Sequence, residues 1–158
     1  SGDLVAFDTD MVGPFGYCAD ISRTFFCGVG RPTNRQKELY RHALDEIEHN
    51  LSLVCDGITL EEFGERAFVQ PEVFHHNQYS CICHGVGMCD EAPKIYYPKD
   101  QAEKGYPGTL RENMVICLES YVGAVGEREG VKLEQQVRVT KDGYELLSTN
   151  PLESDLLD

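Results

Sequence analysis

The sequence predicts an α+β domain with a largely antiparallel sheet and flanking helices. Strand-like segments outnumber helical ones, and the helical segments fall between strand pairs rather than alternating with single strands. A further observation is what the first strands carry: Asp8, Asp10 and Asp20 lie within thirteen residues that otherwise read as two apolar strands and a turn. Ionised groups at that density need a cation, a metal or a shared proton when water is excluded.

The elements follow in order. Leu4 to Met11 is an apolar run interrupted only by Asp8, Thr9 and Asp10, Gly13-Pro14-Phe15-Gly16 supplies a turn, and Tyr17 to Cys27 continues as a second strand. Gly28 to Pro32 ends this hairpin, and Thr33-Asn34-Arg35-Gln36 opens a helix with a capping-box pattern. Leu39, Ala43, Ile47 and Leu51 recur at four-residue spacing, filled out by Tyr40, Leu44 and Leu53 to about Val54. Thr59-Leu60-Glu61-Glu62 begins a shorter helix to about Phe68. Both helices read as packing elements without chemistry. Gln70 to Gln78 is a polar connection holding His75-His76, which reads as a surface pair, and Tyr79 to Met88 is apolar and strand-like. Glu91-Ala92-Pro93 marks a break, and Pro98 to Gly108 reads as a loop. Three strands close the chain: Met114 to Val122, Val131 to Thr140 and Tyr144 to Leu147.

Bulk properties narrow the function classes. The 158 residues fit one domain, and 41% hydrophobic content is that of a soluble protein. Fourteen basic against 27 acidic residues give a net charge of -13, which argues against nucleic acid or an anionic membrane surface as partner. No apolar run approaches the roughly 20 residues of a membrane span. Seven cysteines at irregular spacing read as reduced thiols of a cytoplasmic protein, and Cys81, Cys83 and Cys89 near His84 as small core residues rather than a zinc set. The chain goes almost directly into a strand from Ser1, so an upstream part is expected.

His84 in Cys83-His84-Gly85-Val86-Gly87, Glu119 in Ile116-Cys117-Leu118-Glu119-Ser120 and Glu134 in Val131-Lys132-Leu133-Glu134-Gln135 extend the list of candidates. Asp8 and Asp10 share one strand face, and hairpin neighbours approach within about 5 Å, so Asp20 joins them if the register cooperates. Any one of these acids alone also suits a solvated strand face. Together with one imidazole, the carboxylates form a ligand set for two divalent metals such as manganese, iron, cobalt or zinc.

The order Asp, Asp, His, Glu, Glu, in contexts such as Asp20-Ile21-Ser22-Arg23-Thr24, His84-Gly85-Val86-Gly87 and Leu133-Glu134-Gln135-Gln136-Val137, resembles the pita-bread metallohydrolase family of methionine aminopeptidase, aminopeptidase P and creatinase. The resemblance covers nearly the whole chain. It implies a pita-bread fold, with residues 1–158 the C-terminal part of the catalytic domain and the upstream half and an N-terminal domain absent. It implies two metals, with Asp20, Glu134 and an upstream Asp as bridging or first-metal ligands and His84 and Glu119 on the other metal.

Two departures from the peptidases are informative. They usually carry one ligand Asp about eleven residues before the next, whereas Asp8 and Asp10 lie twelve and ten before Asp20. They follow His-Gly-x-Gly with a second histidine, whereas Asp90 stands there in a segment one residue shorter. A carboxylate at that place accepts a proton more readily than it donates one. In both respects the sequence is similar to the dimethylsulfoniopropionate lyase branch of the family. That likeness implies β-elimination from a small zwitterionic substrate, Asp90 as base, iron as the metal pair and a homodimer. Tyr79, with Tyr121 as a further candidate, would face the sulfonium cation; Tyr79 equally suits a core or interface position. A metallopeptidase of the same fold and a non-catalytic pita-bread binding module are the other readings.

Overall fold

The computed structural model describes residues 2–89 and 91–158. Strands β1 (Asp3–Val12) and β2 (Cys18–Cys27) form an antiparallel hairpin closed by a 3-10 turn over Pro14–Gly16. Helices α1 (Asn34–Leu51) and α2 (Leu60–Arg66) follow. Strands β3 (Cys83–Gly85) and β4 (Lys94–Ile95), helix α3 (Pro98–Lys104), and strands β5 (Val115–Val122), β6 (Val131–Thr140) and β7 (Gly143–Leu146) complete the chain. The second sheet has the order β4-β3-β5-β6-β7, with every pairing antiparallel. The expected α+β class with an antiparallel sheet is what the chain adopts.

The capping box forms as read: Gln36 N donates to Thr33 Oγ1 and Thr33 N donates to the Gln36 side chain. The α1 stripe of Leu39, Tyr40, Ala43, Leu44, Ile47 and Leu51 is buried, and the helix packs on β5 and β6. Burying that stripe against the apolar back of the sheet supplies most of the core.

Three segments differ from expectation. Pro98–Lys104, read as loop, is a helix with Pro at its first position, Asp100 in the first turn and Lys104 in the last. It buries no residue, so no apolar period marked it; its signals are proline placement and charge complementing the helix ends. The apolar run from Tyr79 yields only the three-residue β3, because the Gly87 carbonyl accepts from Cys18 N of the hairpin and leaves the ladder. The break after Glu91 leads into β4, an unpredicted edge strand opposite Cys83 and His84. Gly85 permits this approach, since a Cβ there would lie 2.0 Å from the Ala92 carbonyl oxygen. Cys81 and Cys83 are core residues, but Cys89 is exposed, lying beyond β3 where the core ends.

The hairpin docks on β6 through side chains. Asp20 N donates to Gln136 Oε1 (3.1 Å), Ser22 Oγ to Glu134 Oε2 (2.9 Å) and Thr24 Oγ1 to the Lys132 carbonyl (2.8 Å). The partners step by two in opposite directions, an antiparallel ladder in which side chains stand in for one set of backbone groups. Buried Arg23 closes the junction. Its guanidinium donates to the carbonyls of Ser22 (2.8 Å), Glu134 (2.6 Å) and Asn150 (2.8 Å) and to Gln135 Oε1 (2.9 Å). The other hairpin face leaves Val5, Phe7, Met11 and Phe25 exposed. No helix among the described residues is long and apolar enough to cross a membrane.

Arg23→Met keeps the stem and removes all of these donors, leaving buried carbonyls unpaired. A loss of about 3 kcal/mol in unfolding free energy is expected, measured by urea denaturation of the variant beside the parent.

Candidate metal centre

Four buried side chains converge where the hairpin meets the sheet: Asp20 from β2, His84 from β3, Glu119 from β5 and Glu134 from β6. One ligand atom from each lies within 4.8 Å of all the others. Strand geometry explains the convergence. Glu119 and Glu134 are direct cross-strand partners, and the β3 register places His84 opposite Cys117, two residues before Glu119. Like charges so placed repel unless something neutralises them.

His84 Nε2 lies 3.1 Å from Glu119 Oε1, 3.5 Å from Glu134 Oε1 and 3.7 Å from Asp20 Oδ2. Lys132, two residues before Glu134 on the same face of β6, brings a second cation. Its ammonium contacts Glu119 Oε2 and lies 3.0 Å from Ser22 Oγ, 3.4 Å from Asp8 Oδ2 and 3.9 Å from Glu134 Oε2. Ser22 bridges Asp8 and Glu134. Sequence reasoning missed Lys132, Ser22 and Arg23. Strand alternation from Glu134 is the signal that points to Lys132.

Titration behaviour follows from this crowding. Burial and the charge of Glu134 push the Asp20 carboxyl up to about 8. Burial alone would raise Glu134 too, but His84, Lys132 and Ser22 outweigh it and hold its carboxyl at about 2. Burial disfavours the His84 cation, yet its hydrogen bond to Glu119 and the adjacent Glu134 carboxylate raise it to about 10. Glu119 is raised, chiefly by burial.

The remaining expected residues are placed as follows. The register puts Asp10 opposite Asp20 and Asp8 opposite Ser22, so all three acids share the hairpin face toward β6. Asp8 and Asp10 are exposed and stand outside the converging group, although the charge of Asp10 contributes to raising Asp20. The half-buried Tyr79 presents its ring to Lys132, whose Nζ lies 4.4 Å from the ring centroid. The face expected to meet a substrate cation therefore carries a protein cation. Asp90 lies outside the described residues. His75 and His76 are exposed, and among the described residues no cysteine joins a metal-ligating group.

The donor set suits a hard or borderline divalent ion, with three carboxylates and one imidazole in a dry site. Asp20 Oδ1 and Glu134 Oε1 are buried and accept no hydrogen bond, which a metal ion would remedy.

Comparison with known proteins gives this geometry a context. The model of metallopeptidase family M24 matches residues 1–141. The dimethylsulfoniopropionate lyase DddP of Roseovarius nubinhibens is 38% identical over 99% of this chain, which spans 35% of that protein. The Xaa-Pro dipeptidase of Pyrococcus horikoshii is 31% identical over 93% of the chain and 40% of its own length. Among solved structures, the X-Pro aminopeptidase of Thermotoga maritima superposes with a TM-score of 0.78 at 26% identity, over 96% of this chain and 40% of that one. The chain thus spans little more than a third of the relatives that it matches, and its fold is that of the pita-bread enzymes.

Lys132→Met deletes the cation closest to Glu119. We expect it to destabilise metal-free protein by about 3 kcal/mol and metal-loaded protein less, so the gap in melting temperature between chelated and metal-supplemented samples should widen.

Proposed function

The chain belongs to metallopeptidase family M24, and from that premise we propose that it carries the metal centre of a lyase that cleaves dimethylsulfoniopropionate to dimethyl sulfide and acrylate. The observation that supports this most directly is the likeness to the lyase along almost the whole chain, stronger than the likeness to the dipeptidase. The paired acids Asp8 and Asp10 and the placement of Asp90 in the sequence point the same way.

In this reading Asp20, His84, Glu119 and Glu134 hold two divalent metals, for which iron is the proposed identity, with Asp8 and Asp10 completing the ligand set. Such metals supply Lewis acidity, which stabilises negative charge on the substrate carboxylate as the adjacent carbon is deprotonated. Asp90 takes the α-proton, the electron pair forms the carbon–carbon double bond, and the β-carbon–sulfur bond breaks to release neutral dimethyl sulfide. The sulfonium needs no acid, being already a good leaving group. Tyr79 holds Lys132 over its ring, and Lys132 in turn contacts Glu119. The chain is taken as the C-terminal part of a pita-bread catalytic domain in a homodimeric, cytoplasmic protein.

A second reading, a dinuclear metallopeptidase, is favoured by the solved prolidases and aminopeptidases that share this fold. Headspace analysis of the full-length protein separates the two: dimethyl sulfide release from dimethylsulfoniopropionate, without cleavage of Xaa-Pro dipeptides, is the expected result. Dipeptide cleavage alone would overturn the lyase. Asp90→Ala should retain metal and lose about a hundredfold or more in elimination rate; near-normal turnover would remove Asp90 from its role.

A further inference from the structure

Behind the metal centre, on the other face of β5, lies a second buried acid. Glu46 of α1 is fully buried, and three side chains from three other parts of the chain donate to its carboxylate. Ser120 Oγ reaches Oε2 at 2.6 Å, Gln70 Nε2 contacts the same oxygen, and Tyr97 OH reaches Oε1 at 3.1 Å. All three donors are themselves buried. Gln70 Nε2 also lies 3.3 Å from the Tyr121 carbonyl, a second hold on β5.

A buried carboxylate is costly unless its lone pairs are filled, so evolution has cheaper ways to stiffen a helical core. What distinguishes this cluster is where its donors sit. Ser120 directly follows Glu119, and successive strand residues point to opposite faces, so the residue that Glu46 grips is the back of the position that presents Glu119 to the site. Tyr97 lies two residues past the end of β4, and β4 pairs with β3 with Lys94 opposite His84. One carboxylate therefore ties the back of β5, whose front carries Glu119, to the segment after β4, the strand that pairs with the one carrying His84. Burial pushes the Glu46 carboxyl up while its three donors work to keep it charged.

We propose that Glu46 is a positioning residue for the metal centre, acting through Ser120 and Tyr97 to hold Glu119 and His84 at their mutual distance. The proposal rests on the reading of Glu119 as a metal ligand, and the experiment separates the two.

Cobalt(II) serves as probe in the full-length protein, read as a binding isotherm and as the visible d–d spectrum of the loaded site. Glu46→Ala and Ser120→Ala are expected to weaken cobalt binding about tenfold and to alter the spectrum, while Glu46→Gln, which keeps one acceptor oxygen, restores part of the loss. The control is Asn50→Ala: Asn50 is equally buried on α1 and accepts from Phe68 N at 2.8 Å, but among the described residues none of its side-chain hydrogen bonds reaches β5 or Tyr97. It should lower the melting temperature and leave isotherm and spectrum unchanged. If Glu46→Ala does not fold, Ser120→Ala decides. Parental isotherm and spectrum in Ser120→Ala, or an equal change in Asn50→Ala, would overturn the positioning role while Glu119→Gln still loses metal. Unchanged cobalt binding in Glu119→Gln would overturn the ligand reading and this proposal together.

Discussion

Three carboxylates forced together out of water are the constraint around which this molecule is organised. Glu119 and Glu134 face each other across adjacent strands, and Asp20 is pressed against them by the hairpin. At such separations in a poorly hydrated site, mutual repulsion amounts to several kcal/mol. The protein answers with His84 and Lys132, the two cations whose reach matches the cluster. They depress Glu134, while burial and the charge of Glu134 raise Asp20, so protons and charge are divided unequally among chemically similar groups. An arrangement of that kind is expensive as architecture and useful as a metal site, which is why its coincidence with the family assignment carries weight.

The hairpin shows how the rest of the fold serves that constraint. β1 and β2 form their own two-stranded sheet, yet β2 runs along β6 as if it were the next strand. Ser22, Thr24 and Gln136 substitute side-chain hydrogen bonds for a backbone ladder, and Arg23 satisfies the carbonyls that the junction buries. This docking keeps the Asp20 carboxylate within reach of Glu134. The Ser-Arg-Thr run following Asp20 is thus a docking device as much as part of a ligand motif. On the far side of the sheet, α1 fills the core and brings Glu46 to the back of β5, so the wall that presents Glu119 is held from both faces.

Much of the fold was legible because its signals are local. The capping box at Thr33, the four-residue apolar period of α1 and the strand-like runs of β5 and β6 each lie within one segment and each formed as read. Helix α3 was not legible because it buries no residue: a largely exposed, mostly polar helix has no apolar period to detect. β3 and β4 were misjudged for the opposite reason, since their extent depends on the Gly87 carbonyl being claimed by the hairpin and on the close approach that Gly85 allows. Neither contact leaves a trace in the neighbouring residues.

The same division runs through the site. By itself the sequence determined which residue types were present and which strand face each occupied, because a period of two is a property of the chain. That was enough to name Asp20, His84, Glu119 and Glu134 and to place Asp8 and Asp10 on one strand face, which the hairpin register then set beside Asp20. Only the tertiary structure decided distance. It gathered four of these side chains within 4.8 Å and left Asp8 and Asp10 outside, it set Lys132 among the acids and over the ring of Tyr79, and it brought Glu46 to Ser120 across a sequence separation of 74. Separation in space between strands depends on register, docking and burial, which are negotiated among segments far apart in the chain, and for that reason no single segment records it.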